Sequence, residues 1–237
     1  LTNPVNLTNP GNQLNSANLI NKKIIICPKT GRLGNQILNL VIATTLCIRY
    51  NINCIKLPKK LLFYNKDYII IEDNQNVNIN DITSNKSECF YMKNFFTYDF
   101  RLLKWNKYKD KVKTYLKNKL NFPKINNFNN NILHIHIRSG DIMKVNKGCG
   151  MVQPPCIYYE NEILRKNWEK VIIVSEDTIN PCINFLTNKY DNVIYFGKKS
   201  LEDDIKELLS ATNIMIGRGT FIQTLSLFME HIDKIHY

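Results

Sequence analysis

The sequence lacks an apolar run long enough to span a bilayer, and no segment has the build of a signal peptide. It starts at Leu1 rather than Met, which fits a fragment of a longer chain; localisation in the cytoplasm or in a secretory-pathway lumen stays open. The seven cysteines show neither CxxC zinc spacing nor the even count of a small disulfide scaffold. No Gly-Lys-Ser/Thr follows a Gly-rich loop, which excludes a Walker A site, and the G-x-G-x-x-G dinucleotide fingerprint is missing. No Asp-x-Asp pair occurs that would hold a divalent cation, and metal ligation is not expected. His134 and His136 lie two residues apart, but no third ligand is evident beside them.

The chain has 237 residues, room for one large domain or two small ones, with ordinary apolar and charged fractions. Its formal charge of +12 suggests anionic partners, although a Lys/Asn/Ile-rich composition typical of AT-rich genomes would also produce it. The lysines read as spread out, with no dense basic helix carrying interleaved aromatics, so nucleic acid is not the expected partner. Cys27, Cys47 and Cys54 lie in apolar stretches and read as buried thiols, while Cys149 and Cys156 flank one loop and could pair. Sequons occur at Asn6 and Asn85. Asparagine recurs every third residue from Asn3 to Asn21, a low-complexity linker over residues 1–21.

The remainder alternates strand and helix signals. Lys22 to Cys27 reads as a buried strand, Gln36 to Tyr50 as a helix apolar almost all round, and Asn53 to Leu57 as the next strand. A strand at Tyr68 to Ile71 and a lysine-bearing helix within Tyr98 to Leu120 follow. The Pro/Asn-rich stretch Phe122 to Asn131 breaks the pattern, giving lobes at 22–125 and 126–237. In the second lobe, strands are expected at Ile132–Arg138, Val171–Ser175, Val193–Phe196 and Asn213–Ile216. Helices are expected at Tyr158–Trp168, after the Asn180-Pro181 cap, after a capping box at Ser200, and at Phe221–Met229. Such β–α alternation predicts parallel sheets covered by helices.

Ligands of open α/β sheets bind beyond the carboxyl ends of the strands. Two motifs sit at such ends: Gly31-Arg32-Leu33-Gly34-Asn35-Gln36 and His134-Ile135-His136-Ile137-Arg138-Ser139-Gly140-Asp141. The first offers backbone N–H groups and the second an arginine, so a phosphate or diphosphate is the expected ligand. On a strand, His134, His136 and Arg138 share one face. Arg138 can fork onto two phosphate oxygens, or pair structurally with Asp141. Asn35, at the start of its helix, is either an N-cap or a ligand group. Ser175-Glu176-Asp177 closes another strand, with carboxylates suited to a base or ribose or to helix capping. Gly217-Arg218-Gly219-Thr220-Phe221 joins the last strand to the last helix, where backbone N–H groups and the Thr220 hydroxyl can meet phosphate.

Together these motifs resemble the fucosyltransferase superfamily: the α1,2-fucosyltransferases, the α1,6-fucosyltransferases and the protein O-fucosyltransferases. The Gly31–Gln36 segment is similar to their first-strand loop, and His136-Ile137-Arg138-Ser139-Gly140-Asp141 to the His-x-Arg-Arg-Gly-Asp motif of the α1,2 enzymes. Ser175-Glu176-Asp177 resembles their Ser-Asp-Asp, while Ser200–Asp204 and Ile216–Phe221 resemble their last motifs. Ser139 stands where the α1,2 pattern has a second arginine, and Glu176 where it has aspartate. The resemblance implies a GT-B-like α/β fold, two Rossmann-like lobes with parallel sheets facing a cleft. It implies an inverting, metal-independent transfer from a GDP-fucose donor, with no other cofactor, to a glycan or glycoprotein acceptor. It places His136, Arg138, Gly219, Thr220 and Phe221 at the diphosphate, and Ser175 and Asp177 near the guanosine. Arg32, Gly34 and Asn35 then line the wall facing donor and acceptor. Asp141 is the nearest carboxylate for a general base or for orienting the loop. The alternatives are another nucleotide-sugar transferase on this scaffold, or a non-catalytic binding module for nucleotide sugars or glycans.

Overall fold

The computed structural model describes residues 19, 22–28, 31–58, 61–71, 89–92, 103–144, 152–197 and 199–236. The asparagine repeat lies outside them except for Leu19, which is buried, and so do both sequons and Cys149. The chain divides into two units, Leu1–Asn121 and Phe122–Tyr237.

In the first unit, three consecutive isoleucines form β1 (Ile24–Ile26) at an interior position of a four-stranded sheet. β2 (Cys54–Lys56) and β4 (Cys89–Tyr91) flank it in parallel, and β3 (Tyr68–Ile70) adds antiparallel to β2. The expectation of parallel sheets therefore holds here except for β3. A chain that returns directly beside β2 can only run antiparallel, because a parallel return needs a long crossover. Between β1 and β2 runs α1 (Leu33–Tyr50), whose residues from Leu40 to Cys47 are all buried. It ends at Asn51, whose left-handed φ of 55° lets its N–H reach the Cys47 carbonyl.

α2 (Trp105–Lys119) packs on α1 through Val112 and Leu116. It carries six lysines in fifteen residues, so a dense basic helix is present after all. The lysines alternate with other residues along the chain, and a spacing of two distributes them over both flanks of the solvent-facing arc rather than along one stripe.

The second unit follows the expected alternation closely. Its strands β5 (Ile132–His136), β6 (Lys170–Val174), β7 (Val193–Phe196), β8 (Asn213–Ile216) and β9 (Lys234–His236) form a wholly parallel sheet ordered β7-β6-β5-β8-β9. Numbered within the unit, this is 3-2-1-4-5, the doubly wound order, and its direction reverses between β5 and β8. A short helix α3 (Asp141–Lys144) and then α4 (Cys156–Arg165) connect β5 to β6. α5 (Pro181–Lys189) leads to β7, α6 (Leu201–Leu209) to β8, and α7 (Thr220–Leu225) follows β8. Asn180 caps α5 by accepting from Cys182 N–H, with Pro181 at the first helical position. Ser200 and Asp203 close a reciprocal capping box on α6. Leu133, Ile135 and Ile137 pack with Tyr159, Ile163, Val171, Ile173 and Met215 into one core. The alternation of β5 turns His134 and His136 to the opposite face.

Cys156, which the sequence allowed to pair with Cys149, takes another partner. Cys156, the first residue of α4, bonds Cys182 in the first turn of α5, with Cα atoms 5.0 Å apart. Proximity along the chain suggested one partner, and the packing of α4 beside α5 brings another.

Candidate active site

The doubly wound order locates the site before any side chain is considered. In such sheets ligands bind where crossovers leave the sheet in opposite directions, which here is beyond the carboxyl ends of β5 and β8. The loops leaving those two strands are Ile137–Gly140 and Gly217–Gly219. They are stitched together by the Gly217 N–H, which donates to the His136 carbonyl at 3.2 Å. A Cβ on Gly217 would lie 2.6 Å from that carbonyl oxygen and 3.2 Å from the Tyr159 hydroxyl, so only glycine fits there.

β5 ends at His136 rather than at Arg138, so Arg138 stands in the loop and is freed from the pleat. Its guanidinium donates to Asp141 Oδ1 at 2.8 Å. The two side chains are 24% and 53% exposed, so the pair is partly solvated and contributes under about 1 kcal/mol to stability. The main chain of the loop is held far more firmly. Asp177 Oδ1 accepts from the Ser139 hydroxyl, from Gly140 N–H at 3.2 Å and from Ile179 N–H at 3.0 Å. Asn180 donates its backbone N–H to Ser139 Oγ and its amide to the Arg138 carbonyl, each at 3.0 Å. Gly140 adopts φ +69°, and a Cβ there would strike the Glu176 carboxylate. Ser139, Asp177 and Asn180 thus form a clamp that fixes the backbone from which Arg138 projects.

His136 is buried, with its ring 5.5 Å from that of Phe221 on α7. Burial, and after it the Arg138 guanidinium, lowers its pKa from 6.5 to about 4. The imidazole is therefore neutral at pH 7. The unfolded chain binds this proton below about pH 6.5, the folded chain only below about 4, so stability is full above 6.5 and lost as pH falls through that window. The loss amounts to about 3 kcal/mol. Melting temperature followed from pH 7 to pH 4 should fall in the wild type and fall less in His136→Phe. An identical slope in both proteins would remove His136 as the cause.

His134, on the same face, is engaged by Glu207 of α6 at 3.0 Å and reads as a core histidine. Among the described residues no three His, Cys, Asp or Glu side chains gather as a metal site requires. Ser175 is buried at the end of β6. Its hydroxyl, His136 Nδ1 and the Tyr159 hydroxyl have no hydrogen-bond partner among the described residues. An orphaned buried polar atom costs about 1–3 kcal/mol. Gly219 precedes α7 at φ +132°, with open space where a Cβ would stand. Thr220 opens that helix, which is only six residues long.

In the first unit, α1 begins three residues earlier than expected. Arg32 is its N-cap and makes no side-chain cap bond, and Gly34 and Asn35 lie inside the first turn. Asn35 is therefore not the cap. The Asn-for-cap inference failed because Leu33, apolar and helix-favouring, extends the helix backwards. Asn35 instead packs under Gly31, where φ is +63° and a Cβ would lie 2.2 Å from Asn35 Nδ2. The Gln36 amide donates to the Gly31 carbonyl at 2.8 Å and closes this turn.

No family model matches the chain, and no curated protein does. Among solved structures, NodZ α-1,6-fucosyltransferase soaked with GDP-fucose overlaps 90% of this chain and 94% of its own, at 10% identity and a TM-score of 0.45. NodZ from Bradyrhizobium gives 90%, 95%, 10% and 0.45. POFUT1 in complex with GDP gives 89%, 94%, 9% and 0.41. The chain is similar to these fucosyltransferases. At so low an identity and TM-score, function has to be read from the residues.

Sequence reasoning missed several groups that shape the site. Tyr159 belongs to no motif, Gly217 opens the Gly217–Phe221 motif with nothing in it to signal the contact with His136, and Asn180 reads from sequence only as a cap. Asp204, in the first half of α6, has its pKa raised to about 6 by partial burial and by Asp203. Asp204 and Asp177 both act on Tyr195, whose hydroxyl donates to the Ser175 carbonyl at 3.2 Å. The acidic run Glu202-Asp203-Asp204 was the available signal for it, absorbed by the capping box.

Proposed function

We propose that this protein is an inverting, metal-independent glycosyltransferase that moves fucose from GDP-fucose to a hydroxyl of a glycan or glycoprotein. The second unit receives the donor, and the first serves the acceptor. The observation that carries the reading is Arg138: a partly exposed guanidinium on a clamped loop, beyond β5, where the strand order reverses. The sugar and nucleotide come from the ordered resemblance of four motifs.

In the transfer, the bond between the fucose anomeric carbon and the β-phosphate oxygen breaks. The acceptor oxygen bonds to that carbon from the opposite face, and its proton passes to water. Charge accumulates on the leaving diphosphate. Arg138 stabilises it through two parallel N–H donors, the electrostatic work that a cation performs in metal-dependent enzymes. Neutral His136 can donate one hydrogen bond without competing for the charge. Gly217 and Gly219 leave the backbone open to close approach, and Phe221 packs on the imidazole. Asp141 holds the guanidinium in register and is read as a positioning residue. Asp177, with three donors on one oxygen, holds the loop first, and its assignment to the guanosine is carried by the motif alone.

GDP should raise the melting temperature more than UDP or CMP at equal concentration, since a ligand at a hundred times its Kd adds about 2.7 kcal/mol. Stronger stabilisation by UDP would turn the reading to another nucleotide-sugar transferase. GDP binding without slow hydrolysis of GDP-fucose would mark a binding module. Transfer should also survive excess EDTA, and activity lost to EDTA and restored by manganese or magnesium would overturn the metal-free mechanism.

A further inference from the structure

The positive charge of this protein is segregated. Residues 1–121 hold 19 Lys and Arg against 7 Asp and Glu, while residues 122–237 hold 13 of each. The whole net charge of +12 therefore belongs to the first unit. A compositional bias of the genome acts on both halves alike and does not account for a neutral second unit. Within the first unit the charge is concentrated on α2. Its lysines are 107, 109, 111, 113, 117 and 119, and Asp110 is its one carboxylate. Lys107, Lys109 and Lys111 are exposed, and Lys104 before the helix is exposed too.

Lys107 with Lys111, Lys109 with Lys113, and Lys113 with Lys117 are like-charge neighbours at i,i+4, about 6 Å apart along the axis. Each such pair weakens the helix. The arrangement makes sense where an opposite charge relieves it. The apolar side of α2, Val112 and Leu116, is buried against the protein, so the helix offers no face for insertion into lipid. The solvent-facing arc of the helix is convex, carries lysines on both flanks with Asp110 between them, and has no arginine, the residue that suits directional phosphate recognition. Of its partly buried aromatics, Tyr115 is tied by its hydroxyl to the Ile70 carbonyl and Tyr108 has the Lys107 ammonium 5.5 Å from its ring centroid, which makes both poor stacking platforms for nucleic-acid bases. Lysines as mobile point charges on a convex face match a plane of laterally mobile anionic headgroups. The helix also lies away from the β1 loop. A cavity of about 480 Å³ between Cys47–Ile52 and Asp110–Asn118 places it beside the far end of α1, a helix about 27 Å long.

We propose that the exposed face of α2 docks this protein on an anionic lipid surface by electrostatics alone. The inference does not depend on the transfer chemistry, because it rests on the first unit's charge and needs neither donor nor turnover. The test is co-sedimentation of the full chain with phosphatidylcholine vesicles, with and without a third of phosphatidylglycerol, at low and high salt. Binding should require phosphatidylglycerol and decline as salt rises. Lys107→Gln/Lys109→Gln/Lys111→Gln should partition at least about a hundredfold more weakly, with a melting temperature at or above wild type. Neutralising Lys170, Lys199 and Lys206 on the second unit removes equal charge and should leave binding nearly intact. Equal losses in both triple variants would assign the effect to net charge and overturn the assignment to α2. Binding to neutral vesicles would overturn it too. So would indifference to anionic vesicles alongside Lys107-, Lys109- and Lys111-dependent binding of heparin or an oligonucleotide, which would make α2 a polyanion surface instead.

Discussion

Arg138→Lys should lower turnover at least about a hundredfold and leave the melting temperature near wild type. In the proposed transfer the leaving diphosphate gains charge in the transition state, and loss of one preorganised donor there typically costs about two to three powers of ten in rate. Lysine keeps the charge but loses the fork. Stability should change little, because the pair with Asp141 is partly solvated and the loop is held by bonds that do not involve the guanidinium. The alternative is that Arg138 only anchors α3 through Asp141. In that case Arg138→Lys would lower the melting temperature and leave turnover of the folded fraction unchanged. Both quantities measured on one preparation decide. Asp141→Asn refines the result: a positioning residue loses activity by a similar factor at every pH, whereas loss of a general base removes the acidic limb of the pH–rate profile.

Why was the second unit so legible? Each of its first four strands is a short β-branched run closed by a turn signal, and each cap of α5 and α6 is a local pattern of three or four residues. Such signals need no tertiary information. β4 and β9 were not read, since Cys89-Phe90-Tyr91 and Lys234-Ile235-His236 have no run to recognise and become strands only by pairing with β1 and β8. Within the site, sequence located Arg138, His136 and Asp141 on one strand end. It could not show that Asp177 and Asn180, about forty residues on, reach back to hold that loop. Nor could it show that Gly217 is required by a carbonyl on another strand. Contacts between parallel strands are long-range by construction, because every neighbour arrives through a crossover. Charge segregation was in the sequence all along, but it has meaning only once the unit boundary is drawn.

Removing the Cys156–Cys182 bond should destabilise the second unit by about 3 kcal/mol. The bond joins residues 26 apart, and the chain-entropy estimate for closing loops of about 15 to 100 residues runs from about 3 to about 4.7 kcal/mol. For a unit of this size that loss lowers the melting temperature by roughly 10 °C. The effect should extend to activity. Cys182 lies in the first turn of α5, and Asn180 immediately before that helix holds both the Arg138 carbonyl and Ser139. Freeing α5 from α4 loosens the clamp that aims Arg138. Cys156→Ala/Cys182→Ala, or the wild type in reductant, should therefore melt earlier and turn over more slowly. The reagent acts cleanly, because the four other described cysteines are buried thiols. Burial pushes Cys27 up to about 12 and Cys54 to about 11, which keeps both protonated and unreactive at neutral pH. Peptide mapping without reduction should recover Cys156 linked to Cys182. Recovery of Cys149 linked to Cys156, or an unchanged melting temperature in the double variant, would refute the pairing and with it the anchor of the clamp.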